Sequence, residues 1–270
     1  MAQRRRAGGQ PTATLRGFEG SYVDVAGHRE WHEVAGSGPP VVLLHGGYGG
    51  ASSWALTAPV LVEAGFRVHV PERRGHARTP DVDGPITYQA MADDTISYLE
   101  RYVEGPAHLV GWSDGAAVAV LAARERADLI ARMVLIGQYY NDDGKVADSP
   151  LTELLDSGSA IAGLRSQYAA LSPDGADHFT TFDAKMKHLF ATEPQIDLNS
   201  LASITTPTMV LQGDRDEVTL AHSAAVVAAL PHARLAVLPG SHMVPAEQPD
   251  ALNALLISFL RNGFPRSPWG

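Results

Sequence analysis

Residues 108–127 read HLVGWSDGAAVAVLAARERA. The apolar run that ends at Val110 meets Gly111-Trp112-Ser113-Asp114-Gly115, and an alanine- and valine-rich run follows. The short run predicts a strand. The residues after Ser113 predict a helix that is apolar on nearly every side and therefore buried. Glycines two residues to each side of the serine leave room for a sharp turn and for close packing of helix on strand. A serine at such a turn projects its hydroxyl from the end of the sheet. The helix N-terminus puts partial positive charge and free N–H groups beside it. The five residues alone fit a small-residue turn with no chemistry equally well, so the rest of the chain decides.

The same alternation of strand and helix runs outward in both directions. YVDVAG (22–27) and REWHEVAG (29–36) alternate about Gly27-His28, which predicts an antiparallel hairpin at a sheet edge. Continuous apolar runs at 41–46, 66–71, 107–112, 132–137, 208–213 and 234–240 fit central parallel strands buried on both faces. Helices are expected at about 51–64, 87–104, 114–126, 219–230 and 247–261. The fold class is α/β: a mostly parallel eight-stranded sheet flanked by helices. Between Gly137 and Thr208 no strand pattern occurs, and a helical cap inserted after the sixth strand is expected there. Ser149 as N-cap with Pro150 behind it starts its first helix, and 160–171 and 174–194 supply more. The expected organisation is a disordered leader over 1–19, a core from 20–137 and 206–262, a cap over 138–205 and a poorly ordered tail over 263–270.

Composition narrows the function. The 270 residues carry a net charge of −9 with no basic stripe, so nucleic acid is not an expected partner. The absence of cysteine removes disulfides, thiolate catalysis and cysteine-held zinc. The arginines at 4–6 have no apolar stretch behind them, so no secretory signal is read. The longest apolar runs are near eight residues, too short to span a membrane. The cytoplasm is the default compartment, and a homodimer is allowed but not required.

A serine nucleophile needs a base, an orienting acid and an oxyanion hole. After this kind of turn the expected chain order is serine, acid, histidine. VLQGDRDEV places Gly213-Asp214-Arg215-Asp216 at the end of one strand, and VLPGSHMVPAEQP places Gly240-Ser241-His242 at the end of the last. Upstream, VVLLHGGYGG ends a strand in glycine-rich backbone suited to presenting N–H groups. All of these ends fall at the edge of the sheet where Ser113 is expected.

With these pieces together, the chain from about residue 20 to 262 resembles the α/β-hydrolase fold superfamily, in its serine-hydrolase branch with a helical cap. The matching stretches are HGGYGG (45–50), PERRGHARTP (71–80), GWSDG (111–115), GDRD (213–216) and GSHMVPAEQP (240–249). The resemblance implies Ser113 as nucleophile, His242 as general base and Asp216, at the family's Gly-x-x-Asp position, as orienting acid. Asp214 is the alternative acid, with a turn or cap role otherwise. It implies backbone N–H groups of Gly47 and Asp114 as the oxyanion hole, and no metal or cofactor. The expected partner is a small-molecule ester. Departures are Ala77 and Ala116 in place of common glycines, and Gly47 in place of a bulky apolar residue. Gly47 either opens space near the carbonyl or lets Tyr48 enter it.

The GWSDG turn further resembles that of valacyclovir-hydrolase-like enzymes acting on α-amino-acid esters. That resemblance implies that the Asp114 carboxylate binds a substrate ammonium. The alternative is that Asp114 caps its helix. Tyr139, Tyr140 and Asn141, at the cap entry, either line the pocket or pack the hinge. His178, Phe179, Phe182 and His188 have helical spacing and are read as cap packing. Lactones, thioesters and carbon–carbon bonds are cleaved on the same scaffold, and a ligand receptor without catalysis shares it.

Overall fold

The computed structural model describes residues 14–147 and 157–265. The expected helix start at Ser149 and Pro150 lies outside the described residues.

The chain opens with the antiparallel hairpin of β1 (Glu19–Val25) and β2 (His28–Ala35). It continues through β3 (Pro40–Leu44), α1 (Ala58–Glu63), β4 (Arg67–Glu72), α2 (Tyr88–Tyr102) and β5 (Ala107–Trp112). Next come α3 (Asp114–Glu125), β6 (Ile130–Ile136) and, in the segment expected to form a cap, helices α4 (Gly158–Leu171) and α5 (Phe179–Thr192). The chain returns to the core with β7 (Thr208–Arg215), α6 (Leu220–Ala229), β8 (Ala233–Ser241), α7 (Val244–Glu247) and α8 (Pro249–Asn262). The strands form one eight-stranded sheet in the order β1-β2-β4-β3-β5-β6-β7-β8. Only the β1-β2 and β2-β4 pairings are antiparallel.

The pleat explains why the central runs are apolar throughout. Val42, Leu44, Leu109, Met133 and Leu135 face the layer containing α2, α3 and the cap helices. Val41, Leu43, Val110, Val134 and Ile136 face α1 and α8. Each such side chain contributes about 1.5–3 kcal/mol by leaving water. Helix α3 is buried without interruption from Asp114 to Ala123, as its composition requires. Its closeness to the sheet depends on two glycines. A β-carbon on Gly115 would stand 2.1 Å from the Leu44 carbonyl oxygen, and one on Gly111 would stand 2.3 Å from the Gly115 carbonyl oxygen.

Four expectations change. The helix expected over 51–64 is split into a 3₁₀ turn, Ala51–Trp54, and α1. Pro59 has no N–H for an interior turn and fits the start of a new helix. The run at 234–240 is an edge strand, with Leu235 and Val237 exposed, because nothing pairs beyond β8. The leader is already packed before residue 19: Leu15 and Phe18 are buried, and the Leu15 N–H donates to Glu33 at 2.7 Å. At the other end Phe264 stacks on Phe259, so the tail is anchored beyond 263. No helix among the described residues is long and apolar enough to cross a membrane.

The Gly115 contact makes a direct prediction. Gly115→Ala should lower stability by about 3 kcal/mol or more, the upper range for overpacking, because its neighbour is backbone and cannot turn aside. Gly163→Ala, in exposed α4 with nothing within 4 Å, should instead gain up to about 1 kcal/mol. Denaturant unfolding of both variants checks the contrast.

Candidate active site

Ser113 joins β5 to α3 with φ 54° and ψ −126°. A non-glycine residue at positive φ costs on the order of 1–3 kcal/mol. Two backbone bonds hold it there. Its N–H donates to the Ile136 carbonyl at 2.8 Å, and its carbonyl accepts from the Ala116 N–H at 2.7 Å. The first bond ties the turn to the end of the neighbouring strand β6.

His242 lies just past β8, and its Nδ1 is 2.8 Å from Asp216 Oδ1. The Asp216 carboxylate also accepts from the Glu217 N–H at 2.7 Å and the Gly213 N–H at 3.3 Å. An ionised carboxylate only accepts, so this geometry puts the proton on Nδ1 and leaves Nε2 as the basic nitrogen. Asp214 does something else: it accepts from the Gly240 N–H at 2.8 Å and ties the ends of β7 and β8 together. The His242 carbonyl accepts from Trp112 Nε1 at 3.0 Å, which links this loop to the residue before Ser113. Glu247 braces the same loop by accepting from the Ser241 N–H at 2.6 Å and the Ser241 hydroxyl at 2.9 Å. Gly137, next to Ile136, has φ 59° and lies against the pair. A β-carbon there would be 2.9 Å from Asp216 Oδ2 and 3.2 Å from His242 Nδ1. The end of β6 therefore bonds the Ser113 turn and carries the Asp216–His242 pair beside it.

The loop after β3 faces the same place: a β-carbon on Gly46 would lie 3.2 Å from the Ser113 β-carbon. Two buried side chains fix this loop from behind. His45 Nε2 faces the Arg73 N–H at 3.2 Å, and its Nδ1 faces the Gly46 carbonyl at 2.7 Å. A backbone N–H can only donate, so Nε2 accepts and Nδ1 carries the proton. Burial, and then the Arg73 charge, push the His45 pKa well below its ordinary value, which keeps the ring neutral. The Arg73 guanidinium donates to the Gly46 carbonyl at 3.0 Å and also to the His45 carbonyl. The Gly47 N–H that follows makes no hydrogen bond among the described residues.

Asp114 is 3% exposed. The N-cap position of α3 belongs to Ser113, and the Asp114 carboxylate turns away to accept from the Tyr88 hydroxyl at 2.8 Å through Oδ1. Its Oδ2 is buried without a hydrogen-bond partner among the described residues. Burial raises its pKa; the Arg73 charge, the Tyr88 bond and His242 pull it back. Half-buried Tyr139 is pushed up to about 12, first by burial and then by the nearby Asp114 charge. Tyr48 reaches the cap, donating to Asp183 at 2.8 Å with its ring edge-on to Phe182 and Phe190. Tyr140 is in the hinge rather than on a pocket wall. It is 1% exposed, its N–H donates to His222 at 3.0 Å, and its ring stacks on that imidazole. Phe179 and Phe182 are buried cap packing, His178 pairs with Asp81 at 2.8 Å, and His188 is exposed.

Sequence reasoning missed Arg73, Tyr88, Gly137, Phe190 and Glu247. Arg73 lay inside a motif already singled out. Glu247 also lay inside one, at 240–249, and Gly137 ended an expected strand; Tyr88 and Phe190 gave no local signal, because their roles depend on distant partners. Among the described residues one group has metal-ligand spacing: His28, Glu30 and Asp94. Arg74 already occupies both Asp94 oxygens, at 2.6 and 2.8 Å.

Comparison with known proteins identifies the family and the fold. The alpha/beta hydrolase family profile matches residues 41–255. The RutD protein of Rhizobium rhizogenes, provisionally described as a carbamate hydrolase, is 26% identical over 260 residues, covering 87% of this chain and 97% of RutD. A non-heme haloperoxidase of Rhodococcus erythropolis is also 26% identical, covering 87% of this chain and 95% of that protein. A meta-cleavage product hydrolase of Pseudomonas fluorescens IP01 superposes with a TM-score of 0.74 at 22% identity, covering 91% of this chain and 98% of the other.

The raised Asp114 pKa has a sign that can be tested. The folded state holds the proton more tightly than the unfolded chain, so this group lowers stability as pH rises through the window above its ordinary value. Asp114→Asn removes that dependence while keeping an acceptor for Tyr88. Its melting temperature should gain on that of the wild type as pH is raised from about 4 toward neutrality. A gain that shrinks with rising pH contradicts the assignment.

Proposed function

The chain belongs to the alpha/beta hydrolase family, and from that premise we propose that it is a serine hydrolase of carboxylic esters that favours acyl groups bearing an amine. Ser113 is the nucleophile. His242 Nε2 takes the hydroxyl proton as Oγ attacks the acyl carbon, and Asp216 holds the imidazolium that forms. The oxyanion is received by the N–H groups of Gly47 and Asp114, each worth roughly 100- to 1,000-fold in rate at such a site. His242 then returns the proton to the leaving alcohol. Water, activated by the same nitrogen, adds to the acyl carbon and releases the acid. The observation that supports this reading is the 2.8 Å His242–Asp216 bond at the same sheet edge as the strained Ser113 turn.

The preference for an amine rests on one atom. Asp114 Oδ2 is buried and lacks a partner next to the candidate nucleophile. A buried acceptor without a donor is costly, and a substrate ammonium supplies both the proton and the charge. Tyr139 extends the wall beside it. Helices α4 and α5 belong to the cap that covers this end of the sheet.

A fluorophosphonate probe should label the wild type and leave Ser113→Ala unlabelled; equal labelling of the two removes the serine-hydrolase reading, as expected of a receptor of the same fold. Asp216→Asn should lower kcat about 10⁴-fold, as loss of the imidazole's orienting acid does elsewhere. Asp214→Asn, whose amide oxygen can still accept from the Gly240 N–H, should leave kcat within about twofold of the wild type. A larger kcat loss at 214 than at 216 reverses the assignment.

A further inference from the structure

Gly47 is a glycine for a reason its backbone does not supply. It has no positive φ, so another residue could adopt its conformation. Space is the constraint. A β-carbon on Gly47 would stand 2.7 Å from Asp114 Oδ2 and 2.7 Å from Phe190 Cζ. Neither neighbour is free to retreat without loss. The Asp114 carboxylate is held by Tyr88 at 2.8 Å and is closed off from solvent. Phe190 belongs to cap helix α5, and its ring packs edge-on against Tyr48 with centroids 5.9 Å apart. The volume that a side chain at 47 would fill is thus shared by a carboxylate of the core and an aromatic ring of the cap.

We propose that Gly47 is the specificity-determining residue of this site: its missing side chain is the space in which the Asp114 carboxylate stands, and Phe190 closes that space from the cap. The proposal rests on the amine-binding reading given above and deepens it. The Gly47 N–H is the candidate oxyanion donor, and the carboxylate lies against the α-carbon next to that N–H. An α-ammonium, two bonds from the acyl carbon, suits a site in which it meets Oδ2 while the carbonyl oxygen meets the N–H. The substrate class is therefore the α-aminoacyl ester. A side chain at 47 displaces the carboxylate, and the preference for the ammonium goes with it.

The test compares benzyl valinate with benzyl 3-methylbutanoate, which differ only in the amine. The ratio of their kcat/KM values is measured for the wild type, Gly47→Ala, Asp114→Asn and the double variant. Asp114→Asn should lower the ratio about 10- to 100-fold, the range for a hydrogen bond to a charged group. Gly47→Ala should lower it to a similar level, and the double variant should stay within about twofold of Asp114→Asn alone. A ratio that survives Asp114→Asn refutes the amine-binding reading itself. A ratio lost with Asp114→Asn but kept in Gly47→Ala, or falling further in the double variant, overturns the role of Gly47 and leaves that reading intact. Melting temperatures keep the question open to test if Gly47→Ala folds poorly. Alanine at 47 should cost less in an Asp114→Ala background than in the wild type. An equal cost in both backgrounds overturns the proposal.

Discussion

Helix α3 can lie on the sheet only because Gly115 has no side chain to meet the Leu44 carbonyl oxygen. That close approach leaves one sharp path from β5 into α3, and Ser113 takes it at φ 54°. The strain, on the order of 1–3 kcal/mol, is offset by an uninterrupted buried helix and by the bond from Ser113 to Ile136. The functional geometry follows from it. The same approach sets Ser113 at the sheet edge, brings Gly46 against its β-carbon, and directs the Asp114 side chain toward Tyr88 and Gly47.

The second layer of the site is electrostatic. A neutral His45 and a buried Arg73 engage the carbonyls of His45 and Gly46 and so fix the backbone that leads into Gly47. The Arg73 charge also reaches Asp114 and offsets part of the burial that raises its pKa. One guanidinium thus serves the loop after β3 mechanically and the neighbouring carboxylate through its field. Tyr88 donates to Asp114 Oδ1, and Oδ2 is buried with no hydrogen-bond partner among the described residues.

Where signals were local, the sequence was readable. The buried strands, the glycine-flanked serine and the histidine after the last strand each declared themselves within a few residues. The sequence alone did not separate Asp216 from Asp214, because the choice depends on a register irregularity between Gly213 and Arg215 that sends one carboxylate to Gly240 and the other to His242. Nor did it find Tyr88 or Phe190. Their parts are set by the packing of α2 and α5 against a turn far along the chain, and an apolar helix face does not announce which ring will meet a carboxylate. Tyr140 looked like a pocket residue by position, but its side chain turns into the hinge against His222. The β8 run looked like a central strand because composition does not say which strand comes last in the sheet.

The central claim is that Ser113 carries the acyl group during turnover. Intact-protein and peptide mass spectrometry after rapid acid quench of a slowly deacylating α-aminoacyl ester tests it directly. The account predicts an aminoacyl mass increment, formed within a burst and confined to the peptide that contains Ser113. A burst-free reaction with no adduct, or an adduct on any other residue, would contradict it.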